Sequence, residues 1–264
     1  VVKKGTLIQK ATTGADGTAK FTADLPLGFS YDVKEMQAPE GYVRNTEDVY
    51  TFALSYTNDK EAKQTFKHTF KNERVTAKIS LQKQDKETKK AVPQGDATLE
   101  KAVYGLYARE DIVHPDGATG VIYKAGEQVA TLTTDKNGQA SVDGLYLGNY
   151  YVKEITPPTG YLADEEEHDL VCNYEGDLVA EVKRDCLSLE QVMKQPFQII
   201  KAANNGKTDA DLLKGAGFTA YLVSSLKVNE DGSYDFDSAK PVVIGENGAT
   251  EIFTDKKGYA CSIA

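Results

Sequence analysis

Apolar and polar residues alternate in short runs along almost the whole chain. Val129-Ala-Thr-Leu132, Tyr150-Tyr-Val-Lys-Glu154 and Lys78-Ile-Ser-Leu-Gln82 each follow a period of two, and DG, NG, KG and EG turns separate such runs at regular spacing. A period of two sends successive side chains to opposite faces of a strand, and Gly-containing turns join neighbouring strands as hairpins. The pattern predicts an all-β fold of antiparallel β-sandwiches, Ig-like or prealbumin-like, each of roughly 80–120 residues. Helix is expected to be nearly absent, apart from one turn around residues 188–194.

The strands recur as a unit. Residues 122–154 align with residues 1–35, so that Gly5 matches Gly126, Gly17 matches Gly138 and the Leu-x-x-Gly runs ending at Gly28 and Gly148 coincide. A third copy begins late in the chain, where TDKKGYA at 254–260 matches TDKNGQA at 134–140. The expected domains are therefore 1–75, lacking its first strands; 76–194, complete; and 195–264, lacking its last strands. This organisation reads as a stretch of a longer tandem array, extended because the linkers at 73–76 and 191–196 are short.

One element of the unit raises a chemical question. Residues 150–161, YYVKEITPPTGY, and 31–42, YDVKEMQAPEGY, both place a Glu on an apolar strand, four residues before a Pro and seven before a Tyr. Alternation puts Tyr150, Val152 and Glu154 on one face, and Tyr31, Val33 and Glu35 likewise. A buried carboxylate needs a partner or a proton. The strand Lys78–Gln82 offers one, because Ile79, Leu81 and Lys83 share a face; Lys201 follows Ile199 in the same way. A buried Lys beside a buried Glu has two readings. One is an ion pair, or a Lys reaching the rim. The other is covalent: desolvation leaves a neutral amine as nucleophile and a protonated Glu as acid, so that a neighbouring Asn or Asp side chain is converted to an amide by proximity alone.

The Lys strand, the Tyr-x-Val-x-Glu-x-x-x-Pro-x-Gly-Tyr box and the repeated sandwiches resemble the Cna B-type, or SpaA-like, domains of Gram-positive surface adhesins and pilins. The resemblance covers essentially the whole chain. It implies an intramolecular isopeptide bond from a first-strand Lys to a last-strand Asn or Asp, with the box Glu as acid. Carried over, Lys83 and Lys201 are the nucleophiles, Glu154 and Glu35 the acids, and Asp185 and Asn72 the acceptors. The last strand of the complete copy shows no Asn in the expected place, which leaves Asp185, or Asn173 before it, as the candidate for Lys83.

Composition narrows the remaining function classes. A net charge of −9 with no Lys/Arg stripe argues against nucleic acid. No apolar run approaches the ~18 residues of a membrane span, and the N-terminal residues do not look like a signal peptide. The three Cys (Cys172, Cys186, Cys261) form no metal-binding spacing and read as isolated small hydrophobes; Cys172 and Cys186 flank an expected hairpin turn at 174–177. The TDKNG, TDKKG and GADG stretches read as hairpin turns, and DEEEH at 164–168 as a solvated loop. No cofactor or metal is expected. The leading functional reading is a cell-wall-anchored, extracellular stalk whose partners are its neighbouring repeats. The alternative is capture of a host protein, matrix protein or immunoglobulin, through strand edges or the unshared loops at 91–101 and 226–240. Catalysis on an external substrate has little support, because the Lys and Glu face a core.

Overall fold

Strands form where the alternation is uninterrupted in the computed structural model, which describes residues 3–58, 64–204 and 211–263. The first segment of the chain supplies β1 (Phe29–Lys34) and β2 (Val49–Leu54), an antiparallel pair with Tyr31 opposite Phe52. The second supplies β3 (Thr76–Asp85), β4 (Val103–Ala108), β5 (Ile112–Val113), β6 (Val121–Tyr123), β7 (Gln128–Thr133), β8 (Gln139–Leu145), β9 (Gly148–Thr156), β10 (Glu167–Cys172) and β11 (Glu181–Glu190). The third supplies β12 (Gln198–Ile200), β13 (Gly217–Thr219), β14 (Lys227–Val228), β15 (Tyr234–Asp235), β16 (Glu251–Phe253) and β17 (Tyr259–Cys261). Helical structure among the described residues is limited to two short 3-10 turns, Val223–Ser225 and Glu246–Gly248.

The second segment is a sandwich of two sheets, ordered β10-β9-β4-β7 and β11-β3-β8. Their inner faces are the apolar halves of the alternating strands. Ala77, Ile79 and Leu81 of β3 meet Tyr104 and Leu106 of β4 and Tyr150 and Val152 of β9 in one buried core. The Tyr-x-Val-x-Glu face of β9 therefore points inward, as the alternation requires. One pairing departs from the antiparallel expectation. β11, the last strand, runs parallel to β3, the first, over their full length, with Cys186 opposite Leu81 and Ser188 opposite Lys83. That pairing brings the start and the end of the segment side by side.

Two sequence expectations are corrected here. The turn expected at 188–194 is instead strand through Glu190, since Cys186, Ser188 and Glu190 continue the inward alternation of β11. The link at 174–177 is not a hairpin: β10 and β11 belong to different sheets, so it carries the chain across the sandwich edge. The reading of isolated thiols agrees with the structure: Cys172 and Cys186 are free and buried, and Cys261 is free and exposed. In the first segment, described residues before Phe29 form no strand. Their turn is nevertheless made, with Gly17 at φ +71 and its amide donating back to the Gly14 carbonyl at 2.9 Å.

The chain divides into two compact units, Val1–Glu190 and Gln191–Ala264. The 75/76 boundary expected from the repeat lies inside the first unit, where hydrogen bonds join the two sides. Asp177 Oδ2 accepts the Ala38 N–H at 3.0 Å, its carbonyl accepts the Arg44 N–H at 2.7 Å, and Arg74 donates to the carbonyls of Gly144 and Leu145. In the second unit, β12 pairs with β17 and β13 with β16, as β3 pairs with β8 and β4 with β7. Small details recur with these pairings. Lys83 N–H donates to Gly138 O and Lys201 N–H to Gly258 O, both at 2.8 Å. Thr134 and Thr254 each accept a backbone N–H on the hydroxyl and donate it to a loop carbonyl. The hairpin-turn reading of TDKNG and TDKKG agrees: Asp135 and Asp255 accept their own turn's amides, and Gly138 and Gly258 sit at φ +71 and +72.

Candidate functional site

The centre of the site is Lys83. Its strand buries every second side chain, and the position after Leu81 falls under the end of the sandwich, so the amine is 0 % exposed. Burial of this kind disfavours the ammonium, and desolvation draws the Lys83 pKa down against the pull of Glu154. Glu154, two residues beyond Val152 on β9, accepts from Nζ on Oε1 at 3.3 Å. Its other oxygen accepts the Asp164 N–H at 2.8 Å.

The acid from the last strand is Glu190. Its Oε1 is in contact with Lys83 Nζ, and both side chains are essentially inaccessible to solvent. The Tyr104 hydroxyl donates to the same Oε1 at 2.6 Å, and Ser188 Oγ lies 3.3 Å from it. Tyr104 also accepts from Lys83 Nζ at 3.2 Å and lies 2.9 Å from Ser188. Burial raises the Tyr104 phenol far above its ordinary range, which keeps it a donor. Glu190 Oε2 is buried with no hydrogen-bond partner.

The Pro-Gly-Tyr turn closes this chamber. Gly160 adopts φ +85, and a Cβ there would meet Ala97 at 2.6 Å, so only Gly fits against the 91–101 segment. The turn places Tyr161 with its ring centroid 5.5 Å from Lys83 Nζ and its hydroxyl donating to Asp85 at 3.1 Å. Burial pushes the Tyr161 phenol up to about 12. Asp85 is fully buried; desolvation pulls its pKa up, but hydrogen bonds from Thr88, Gln94 and Tyr161 outweigh that and hold it below 3.8.

The other expected residues lie elsewhere. Asp185 sits opposite Ser80 and is exposed, lining a polar groove on the outer face of the sheet with Lys78, Ser80 and Gln82. Strand parity is the reason: odd-numbered residues of this stretch face out while Cys186, Ser188 and Glu190 face in. Asp185 is therefore not brought to Lys83, and neither is Asn173, which is exposed beyond the end of β10. Lys201 is exposed in the second unit. Glu35 and Asn72 do meet. Asn72 Nδ2 donates to Glu35 Oε2 at 2.6 Å and to the Val43 carbonyl at 2.9 Å, and the Asn45 N–H donates to that same Oε2. Asn45 is ten residues after Glu35, as Asp164 is ten after Glu154, so the acid has the same backbone support in both segments.

Sequence reasoning missed Glu190, Tyr104 and Ser188. A signal for Glu190 was present, because Asn72 precedes Lys83 by eleven residues and Glu190 precedes Lys201 by the same eleven. Asp164, Glu166 and His168 also cluster, with His168 Nε2 3.1 Å from Asp164 Oδ2. Among the described residues no helix is long and apolar enough to cross a membrane.

The family described as "SpaA: Prealbumin-like fold domain" matches residues 1–69 and 77–185. Among solved structures, the TIE protein of Bacillus anthracis is similar over 96% of this chain and 37% of its own length, at 23% identity and a TM-score of 0.52. A streptococcal ancillary pilin aligns over 90% of this chain and 62% of its own, at 20% identity and a TM-score of 0.31. BcpA, the major pilin subunit of Bacillus cereus, aligns over 71% and 53%, at 19% identity and a TM-score of 0.29. The chain thus spans between about a third and two thirds of the length of these proteins. No curated protein matches it.

Proposed function

Since the chain belongs to the family of SpaA prealbumin-like fold domains, we propose that it is a stretch of the stalk of a Gram-positive surface adhesin or pilin-like protein. Its role is to carry load along a series of sandwiches and hold a distal part of the molecule away from the cell wall. Its immediate partners are the neighbouring repeats of the same chain.

The observation that carries this reading is the meeting of Lys83, from the first strand of the sandwich, with Glu190, from the last, beside Glu154. Tension along the chain acts on the Thr76 end of β3 and the Glu190 end of β11. These strands are parallel neighbours over ten residue pairs, so the pull shears all their hydrogen bonds together rather than peeling them one by one. A buried tie between the same two strands resists that shear where it is applied, and it slows unfolding under force, which is governed by the unfolding rate. In the family's manner the tie is an isopeptide bond, with Lys83 as nucleophile and Glu154 as acid.

The competing reading, capture of a host protein through unshared loops, has less behind it at 91–101. That loop is engaged inward, with Gln94 on Asp85, Leu99 buried and Ala97 against Gly160. The test is removal of residues 76–190 from the parent surface protein. The stalk reading expects the distal region to lie closer to the wall, with its own ligand affinity unchanged. Capture of matrix protein or immunoglobulin by the purified chain, lost on deletion of 226–240, would replace it with the binding reading.

A further inference from the structure

We infer that the last-strand acceptor is Glu190, so that this sandwich closes by a dehydrating Lys83–Glu190 condensation in which Tyr104 is a catalytic hydrogen-bond donor. The inference rests on the stalk reading above and departs from the Asn or Asp acceptor that the family resemblance implies.

Register explains why a Glu is needed. Ser188 lies directly opposite Lys83, and the next inward position on β11 is 190. An acid there starts about 6–7 Å further along the strand, and the extra methylene of Glu lets its carboxyl reach back to the amine. The site also fits the electrostatics of condensation. Lys83 and two carboxyls can be neutral overall only if one carboxyl holds a proton, and burial favours that state. With Glu190 protonated on Oε2, the proton on Nζ passes to Glu154 Oε1, 3.3 Å away.

The neutral amine then attacks Glu190 Cδ, forming the C–N bond as the C–O π electrons move onto Oε1. That oxygen already accepts the Tyr104 hydroxyl at 2.6 Å, with Ser188 beside it, which is where negative charge develops. Glu154 gives its proton to the Oε2 hydroxyl, which leaves as water, and takes one back from nitrogen. The products are one amide, one water and a protonated Glu154. No oxidant, metal or cofactor is consumed. Oε2, the leaving oxygen, is the one buried without a partner.

The other repeats carry different residues at these two places. In the first segment the acceptor place holds Asn72, whose amide nitrogen is held by Glu35 and the Val43 carbonyl. In the third, the residue at the Tyr104 position, on the strand paired as β4 is, is Phe218.

The experiment is the intact mass of the denatured full chain, followed by fragmentation of its digest. The expected result is the loss of one water, with a branched peptide joining Lys83 to Glu190. The E190Q chain should lose one ammonia instead, because its leaving group is an amide nitrogen. Pulse-synthesised Y104F should acquire the bond more slowly, by about 10²–10³-fold, as for removal of an oxyanion donor. An unmodified mass after long incubation, or a branch to any residue other than Glu190, would overturn the bond. Unchanged kinetics in Y104F would overturn the role of Tyr104. None of these results bears on how far the array holds its distal end from the wall, so the stalk reading stands or falls on its own test.

Discussion

A Lys83–Glu190 bond has one mechanical consequence large enough to settle by stretching single molecules. The two residues enclose about 107 residues of chain. An extended chain reaches ~3.3–3.6 Å per residue, so the closed loop hides about 350–385 Å of contour. Pulled from its ends, the intact chain should extend fully everywhere except within that loop. The K83M chain, which keeps the aliphatic stem and removes the amine, should be longer at full extension by the whole amount. The comparison does not depend on whether K83M folds, because contour length at high force is a property of connectivity alone. Force spectroscopy of both chains between the same terminal handles measures it. Equal contour lengths would refute the bond, and the shear argument would then rest on hydrogen bonds and an ion pair.

Four further outcomes follow from the geometry. G160A should destabilise the first unit by about 2–4 kcal/mol, combining a left-handed φ of +85 with a Cβ 2.6 Å from Ala97; denaturant unfolding reads it. D85A should cost about 2–3 kcal/mol, because a buried carboxylate bonded to Thr88, Gln94 and Tyr161 organises the turn after β3. The folded Asp85 pKa lies below 3.8, so its stabilisation is complete above the unfolded value and is lost as pH falls through the folded one. Wild type should therefore lose stability on acidification below about pH 4 more steeply than D85N, as thermal melts across that range would show. Native protein should react with a maleimide at Cys261 alone, since burial pushes Cys186 up to about 12 and raises Cys172 too; denaturation should expose all three thiols.

The strand pattern made much of this fold legible. Alternation placed Ile79, Leu81 and Lys83 on one face and Tyr150, Val152 and Glu154 on another, and both faces are buried where it put them. Pairing β11 in parallel beside β3 is a long-range choice, and period-two alternation carries no information about which strand becomes a neighbour. The place of Glu190 was missed for a related reason. A search by residue type stops at Asp185, whereas strand parity sends Asp185 outward and Glu190 inward. The connection at 174–177 looked like a hairpin because a Gly turn between two alternating runs is the same signal whether the chain returns to its own sheet or crosses to the other. Residues before Phe29 show the limit of local pattern. They keep the turn at Gly17, which needs only local bonds, while strands such as β8 exist through a partner like β3.

On the inference drawn above, the two Glu sites of the first unit let one scaffold support two acceptor chemistries. Glu35 and Glu154 sit at the same point of the same motif, and each has one oxygen held by the backbone N–H ten residues on. At Glu154 that bond leaves the other oxygen to face Lys83, whereas at Glu35 the same oxygen also takes the residue opposite. With Asn72 opposite, the amide nitrogen fills the space and binds the acid directly at 2.6 Å. A carboxyl acceptor has no such donor, so Glu190 requires hydroxyls from outside the acid strand, and Tyr104 and Ser188 supply them from β4 and β11. Placing the residue type found at 72 at position 190 should therefore be insufficient. E190N shortens the side chain and leaves the Tyr104 hydroxyl without its acceptor, and it should retard amide formation although it restores the residue type found at 72. Intact-mass time courses of E190N against E190Q separate the two requirements. Ready ammonia loss in E190Q and a slow one in E190N would show that reach from position 190, rather than the identity of the leaving group, selects Glu here.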